Sequence, residues 1–181
     1  MPSWMRTSAF NRAAIPAAIA AVLLAGCTRA NQFAPACPTL KLLEDGADLS
    51  SFSERGQDIT DMLVQARITA VPATCSAGSR SLTDASIQVV MAVSRGPALP
   101  GRTTQVPYFV TVLDGDRVLE QRDYQMAVTF PPNVDQVSAT SDPILMEFPV
   151  TPQKSAAAYS IYVGFRLTPQ QLQYNRSNPT Q

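Results

Sequence analysis

The sequence predicts an all-β domain: an antiparallel two-sheet sandwich of immunoglobulin or fibronectin III type, with about seven strands and a short C-terminal helical turn. Three observations predict it. Apolar and polar residues alternate through five separate segments, turn-forming residues bound those segments, and the body after Cys37 contains no linker, repeat or low-complexity tract. A closed up-and-down barrel is the alternative arrangement of the same strands.

Taken along the chain, Thr39 to Leu43 is a weak strand. Gln57 to Ala70 carries two patterns, a helical stripe (Ile59, Met62, Leu63, Ala66) and an alternation (Met62, Val64, Ala66, Ile68, Ala70). The alternation runs longer and leads into β-rich Ile68 to Thr74, so a strand is expected. Ala85, Ile87, Val89, Met91 and Val93 share one face, as do Val106, Tyr108, Val110 and Val112. Val118, Tyr124, Met126, Val128 and Phe130 form a further set across a polar break at Glu120 and Arg122. Ile144, Met146, Phe148 and Val150 form another, and Tyr159, Ile161, Val163, Phe165 and Leu167 the last. Asp114-Gly115-Asp116 reads as a hairpin turn, and Pro107 and Pro149, lying inside strand runs, point to edges or bulges. Thr168, Pro169 and Gln171 are spaced as an N-cap, a first-position proline and the far side of a capping box.

Composition removes several function classes. The 181 residues hold fourteen basic and fourteen acidic side chains and no histidine, which excludes His-based acid–base chemistry, His-activated nucleophiles and His metal sites. The basic residues are scattered and no glycine-rich phosphate loop is present, so no nucleic-acid partner is expected. Asp114 and Asp116 are two carboxylates about a glycine, but a calcium loop of EF-hand type needs a Glu near its twelfth position, where Gln125 stands. Asp58 and Asp61 are expected in an exposed cap or loop. Without histidine, a serine nucleophile would need Lys41 or Lys154, and Lys154 sits in a turn that keeps it protonated. No catalytic residue, metal or cofactor is expected.

The first 26 residues read as a targeting segment: Arg6 and Arg12 precede an uncharged apolar run from Ala13 to Ala25, too short for the roughly 20 residues a bilayer needs. The run ends at Leu24-Ala25-Gly26-Cys27, which resembles the lipobox of bacterial lipoproteins. That resemblance implies cleavage between Gly26 and Cys27, lipidation of Cys27, and a lipidated tether over 27–36 leading to a single domain over 37–181. Thr28 stands where aspartate would retain such a protein at the inner membrane, which implies the periplasmic face of the outer membrane, the outer face of the inner membrane being the alternative. The body, through Ile68-Thr69-Ala70-Val71-Pro72 and Val128-Thr129-Phe130-Pro131-Pro132-Asn133-Val134, resembles small envelope lipoproteins of alphaproteobacteria, a likeness that brings no activity with it.

Cys37 and Cys75 remain as an even pair, and in an exported chain they are expected to form a structural disulfide. On the strand register, Val90, Phe109, Leu113, Leu119, Leu145 and Tyr162 face away from the dry side of the sheet. Phe109, Leu113, Leu119, Leu145 and Tyr162 are the candidate surface for an envelope protein partner. The expected function is therefore a membrane-anchored, non-enzymatic binding or scaffolding module. A carrier of a lipid or other apolar ligand, which needs a dry barrel interior, and a histidine-independent hydrolase are the alternatives.

Overall fold

A computed structural model describes residues 35–178. The expected leader, with Gly26 and Cys27, and most of the expected tether lie outside the described residues, as do residues 179–181.

Eleven strands and one helix follow in order: β1 (Thr39–Leu42), β2 (Asp48–Phe52), β3 (Met62–Ala70), β4 (Ala73–Ala77), β5 (Leu82–Ile87), β6 (Val90–Arg95), β7 (Thr103–Asp114), β8 (Arg117–Thr129), β9 (Gln136–Thr140), β10 (Ile144–Pro149), β11 (Tyr159–Phe165) and α1 (Pro169–Ser177). They form three open sheets, ordered β1-β11-β7-β8, β2-β3-β6-β9 and β10-β5-β4. All pairings are antiparallel except β1 with β11. No barrel closes among the described residues, and the architecture is the expected all-β sandwich.

The second and third sheets are two halves of one bent layer. Three chain runs are each interrupted once, at Val71-Pro72, at Gln88-Val89 and at Ser141-Asp142-Pro143, and the breaks lie side by side. Pro72 has no N–H for a ladder, but its carbonyl accepts from Gln88 N at 3.0 Å. Val89 C=O accepts from Ser141 N at 2.9 Å, and the buried Val89 N–H donates to Ser141 Oγ at 2.9 Å. That hydroxyl in turn donates to Asp142 C=O. A serine side chain thus replaces the ladder partner that the bend removes.

One core joins the layers. Ile87, Val89, Met91, Val93, Val106, Ile161 and Val163 are wholly inaccessible, and Phe130 and Phe165 nearly so. The alternation from Ala85 to Val93 runs unbroken through the kink, because two residues are skipped and period two is preserved.

The seven or so expected strands become eleven, because the bend divides two of them and Asp48–Phe52 and Gln136–Thr140 add two more, and four further expectations change. Gln57 to Met62 is neither fully strand nor helix: a 3-10 turn at Ile59–Asp61 leaves Ile59 exposed, and the strand begins at Met62. Val118 is 57% exposed, because a bulge at Leu119 turns it out of the dry set. Pro107 lies in β7, which has neighbours on both sides; β11 ends at Phe165, so the missing N–H faces no ladder partner, and Pro107 C=O accepts from Arg166 N. The C-terminal helical turn grows to nine residues, with Thr168 and Gln171 completing the capping box. α1 is held on the body by Asn175 Nδ2, which donates to Asp45 O and Asp48 O at 3.0 and 2.8 Å, and by a Phe52–Tyr174 edge contact.

Cys37 and Cys75 are bonded, with Cα atoms 5.7 Å apart. Cys75 lies mid-β4, so the bond fastens the start of the domain to the outer edge of the third sheet. Among the described residues no helix is long and apolar enough to cross a membrane.

Candidate functional site

The two layers part along one side. β8 is an edge of the first sheet and β9 and β10 are edges of the other layer, so the inner faces open to solvent between them. A groove of about 870 Å³ runs into this opening, between β10-β5-β4 and the β7–β8 hairpin. Val112, Ala85, Met146, Phe148 and Tyr159 give it an apolar wall, and Glu120 and Arg122 overhang it. A shallower depression of about 790 Å³ continues it past the kink, beside Tyr108, Tyr124, Ser141 and Asp142.

The register explains the charged lip. Glu120 pairs with Val112 and Arg122 with Val110, so both side chains stand on the inner face of the sheet. They are not buried there, because the opposing layer ends at β10. The two side chains pair with each other, and the carboxylate of Glu120 pushes the Arg122 pKa further up, keeping the guanidinium charged. Deeper in, Tyr108 and Tyr124 stack at 5.2 Å, and burial raises the Tyr108 pKa, keeping its hydroxyl protonated beside Ser141.

At the other end the hairpin tip is clamped. Lys154 Nζ donates to both carboxylate oxygens of Asp114 at 2.7 Å and lies 4.3 Å from the centre of the Tyr159 ring. Its pKa is raised, chiefly by the Asp114 hydrogen bond. Tyr159 Oη donates to Pro149 O, and its ring meets Phe148, so β10, β11 and the hairpin are tied beside the groove.

The five candidate surface residues divide into two groups. Leu119 and Leu145, 44% and 72% exposed, both line the groove, at its two lips. Phe109, Leu113 and Tyr162 lie half-buried on the opposite, outer face of the first sheet, where register places Thr111 beside Tyr162, Arg166 lies over the Phe109 ring and Lys41 Nζ donates to Tyr162 Oη. Val90 is half-buried in β6. Asp61 is paired with Arg55 at 3.0 Å, and Asp114 with Lys154, so each carboxylate is already engaged by a cation. Gly26 and Cys27 lie outside the described residues.

Glu120 and Arg122 were legible only as an interruption of the dry stripe. The signal that could have found them is their even spacing with Tyr124 and Met126, which places them on the inner face. Comparison with protein-family models, curated proteins and solved structures gives no match.

Proposed function

We propose that the protein is a lipid-anchored binding module of the bacterial envelope, held at the periplasmic face of the outer membrane, and that it engages a protein partner through the groove between β8 and β10. The groove carries this reading. It offers apolar area at its wall, two exposed leucines at its lips and a fixed charge pair at its rim, the composition of a recognition site with an apolar centre and polar margin.

The disulfide supports the same reading. Cys75 lines the groove and is bonded to Cys37, ten residues after the proposed lipidated Cys27. Ten extended residues reach at most about 35 Å. Anchored in that way, the groove stays within one tether length of the bilayer, and confinement raises the effective concentration of partners at the surface. Internal carriage of an apolar ligand finds less support, since the sheets close no barrel among the described residues. A Ser-Lys hydrolase is likewise weakened by the Asp114 clamp on Lys154, which opposes the neutral amine that a general base requires.

The test is site-directed photocrosslinking in intact envelopes, with the crosslinking residue at Leu119, Leu145 or Phe109. The expected result is one specific adduct from Leu119 and Leu145, none from Phe109, and loss of the adduct in Cys27→Ala. Capture from Phe109 alone would move the site to the outer face, and no capture from an abundant, anchored protein would overturn the binding reading.

A further inference from the structure

The free edge of β8 carries a pattern that fits a second copy of itself. Every other sheet edge among the described residues is shortened, covered or broken. β1 has four residues, β2 lies under α1, β4 carries the disulfide, and β9 and β10 are interrupted at Ser141-Asp142-Pro143. β8 has thirteen residues, and from Arg117 to Asp123 each is exposed.

The direction of its free backbone groups follows from the ladder. Arg102 C=O accepts from Phe130 N on the β8 side, while Pro107 C=O accepts from Arg166 N on the β11 side. The N–H and C=O of one residue in an antiparallel ladder point the same way, so even-numbered β7 residues serve β8 and odd-numbered ones serve β11. Glu120, Arg122 and Tyr124, paired with Val112, Val110 and Tyr108, therefore spend their backbone groups on β7. Gln121, Asp123 and Gln125 present theirs to the open edge.

Two copies related by a two-fold axis normal to the sheet would pair β8 with β8 antiparallel, and the residue on the axis would face itself. Centring on Glu120, Arg122 or Asp123 sets like charges directly opposite each other. Centring on Gln121 sets Glu120 of each copy opposite Arg122 of the other, and places a residue with outward backbone groups on the axis. We infer that the protein self-associates through the β8 edges in this register, centred on Gln121, with exposed Leu119 and Val118 of each copy brought to the junction. The bulge at Leu119 limits the ladder to the residues around Gln121, and because each copy spends its β8 edge in the two-fold pairing the assembly closes at two copies. This interface shares Leu119, Glu120 and Arg122 with the rim of the groove, but it goes beyond the groove-binding reading and does not rest on it.

The experiment is sedimentation velocity on the full chain across micromolar to millimolar concentration, with wild type, Glu120→Arg, Arg122→Glu, their equimolar mixture and the doubly exchanged chain. The altered side chains are solvent-exposed, and circular dichroism of each variant checks the fold. Each single change opposes like charges twice across the axis and is expected to weaken the dimer about tenfold or more. The mixture restores both opposite-charge pairs as a heterodimer, and the double exchange restores them in a homodimer. Association through any other part of the chain would not respond to this exchange. A wild type that stays monomeric throughout, a monomer that instead takes up an extended peptide along β8, or a dimer indifferent to the single changes would each overturn the inference.

Discussion

Ser141→Ala is the sharpest test of how the bent layer holds together. The substitution removes a hydroxyl that accepts from Val89 N at 2.9 Å and donates to Asp142 O at 2.9 Å. Val89 is wholly buried, so water cannot replace the lost acceptor without opening the kink. An orphaned buried N–H costs about 1–3 kcal/mol, and the missing oxygen leaves a void of less than methyl size that adds little. The expected loss is therefore about 2 kcal/mol, roughly 4–10 °C in Tm for a domain of this length. Ser141→Thr keeps the hydroxyl and should recover most of it. Urea unfolding followed by far-ultraviolet circular dichroism measures the change, and amide exchange localises it to Val89. A midpoint within about 0.5 kcal/mol of wild type at an unchanged m-value, with Val89 exchange unaltered, would refute the idea that this side chain substitutes for a ladder partner.

Three other features of the fold are open to the same kind of test. Gly96→Ala would place a Cβ 2.1 Å from Met62 O, at the crossing that Gly96 N and Ala98 N secure on Leu63 O and Met62 O, and is expected to cost about 2–4 kcal/mol in the same unfolding assay. Replacing Cys37 and Cys75 by alanine opens a link of sequence separation 38 and should lower stability by up to about 4 kcal/mol, a loss that reductant reproduces in wild type but not in the variant. The raised Lys154 pKa makes its contribution fully present below the pKa of an unfolded lysine and lost as pH rises through the folded value, so Lys154→Gln should flatten the alkaline limb of the stability curve and leave its shape at neutral pH unchanged. An alkaline limb as steep in the variant as in wild type would assign that loss to other groups, Tyr108 first among them.

The period-two stripes were readable wherever the opposing layer runs the whole length of the strand. In Ala85 to Val93 and Tyr159 to Phe165 every second residue, from Ala85 and from Tyr159, meets the opposing layer and is buried, so the alternation speaks for itself. β8 shows where that reasoning stops. Counting by twos from Val118 to Phe130 assumes no inserted residue, yet Leu119 is inserted, so Val118 joins Leu113 on the outer face while Glu120 and Arg122 take inner positions. The one-residue slip moves a side chain to the opposite face, and nothing in the local pattern marks it.

The groove was illegible for a different reason. Polar residues on an inner face look like a broken strand unless one knows where the opposing sheet ends, and that limit is set by a bend built from Pro72, Gln88 and Ser141, far from Glu120 in sequence. The bend carries β10 away from a straight continuation of β9, and Leu145 and Met146 on β10 then form the far wall opposite the overhanging Glu120 and Arg122. If this geometry is what exposes the groove, Ser141→Ala should do more than lower stability: by loosening β10 it should also reduce partner capture from Leu145 more than from Leu119, which stands on the clamped hairpin. Equal loss at both positions would instead mean that the hairpin and β10 move as one body, with the Lys154–Asp114 clamp and the Tyr159–Pro149 hydrogen bond dominating the kink.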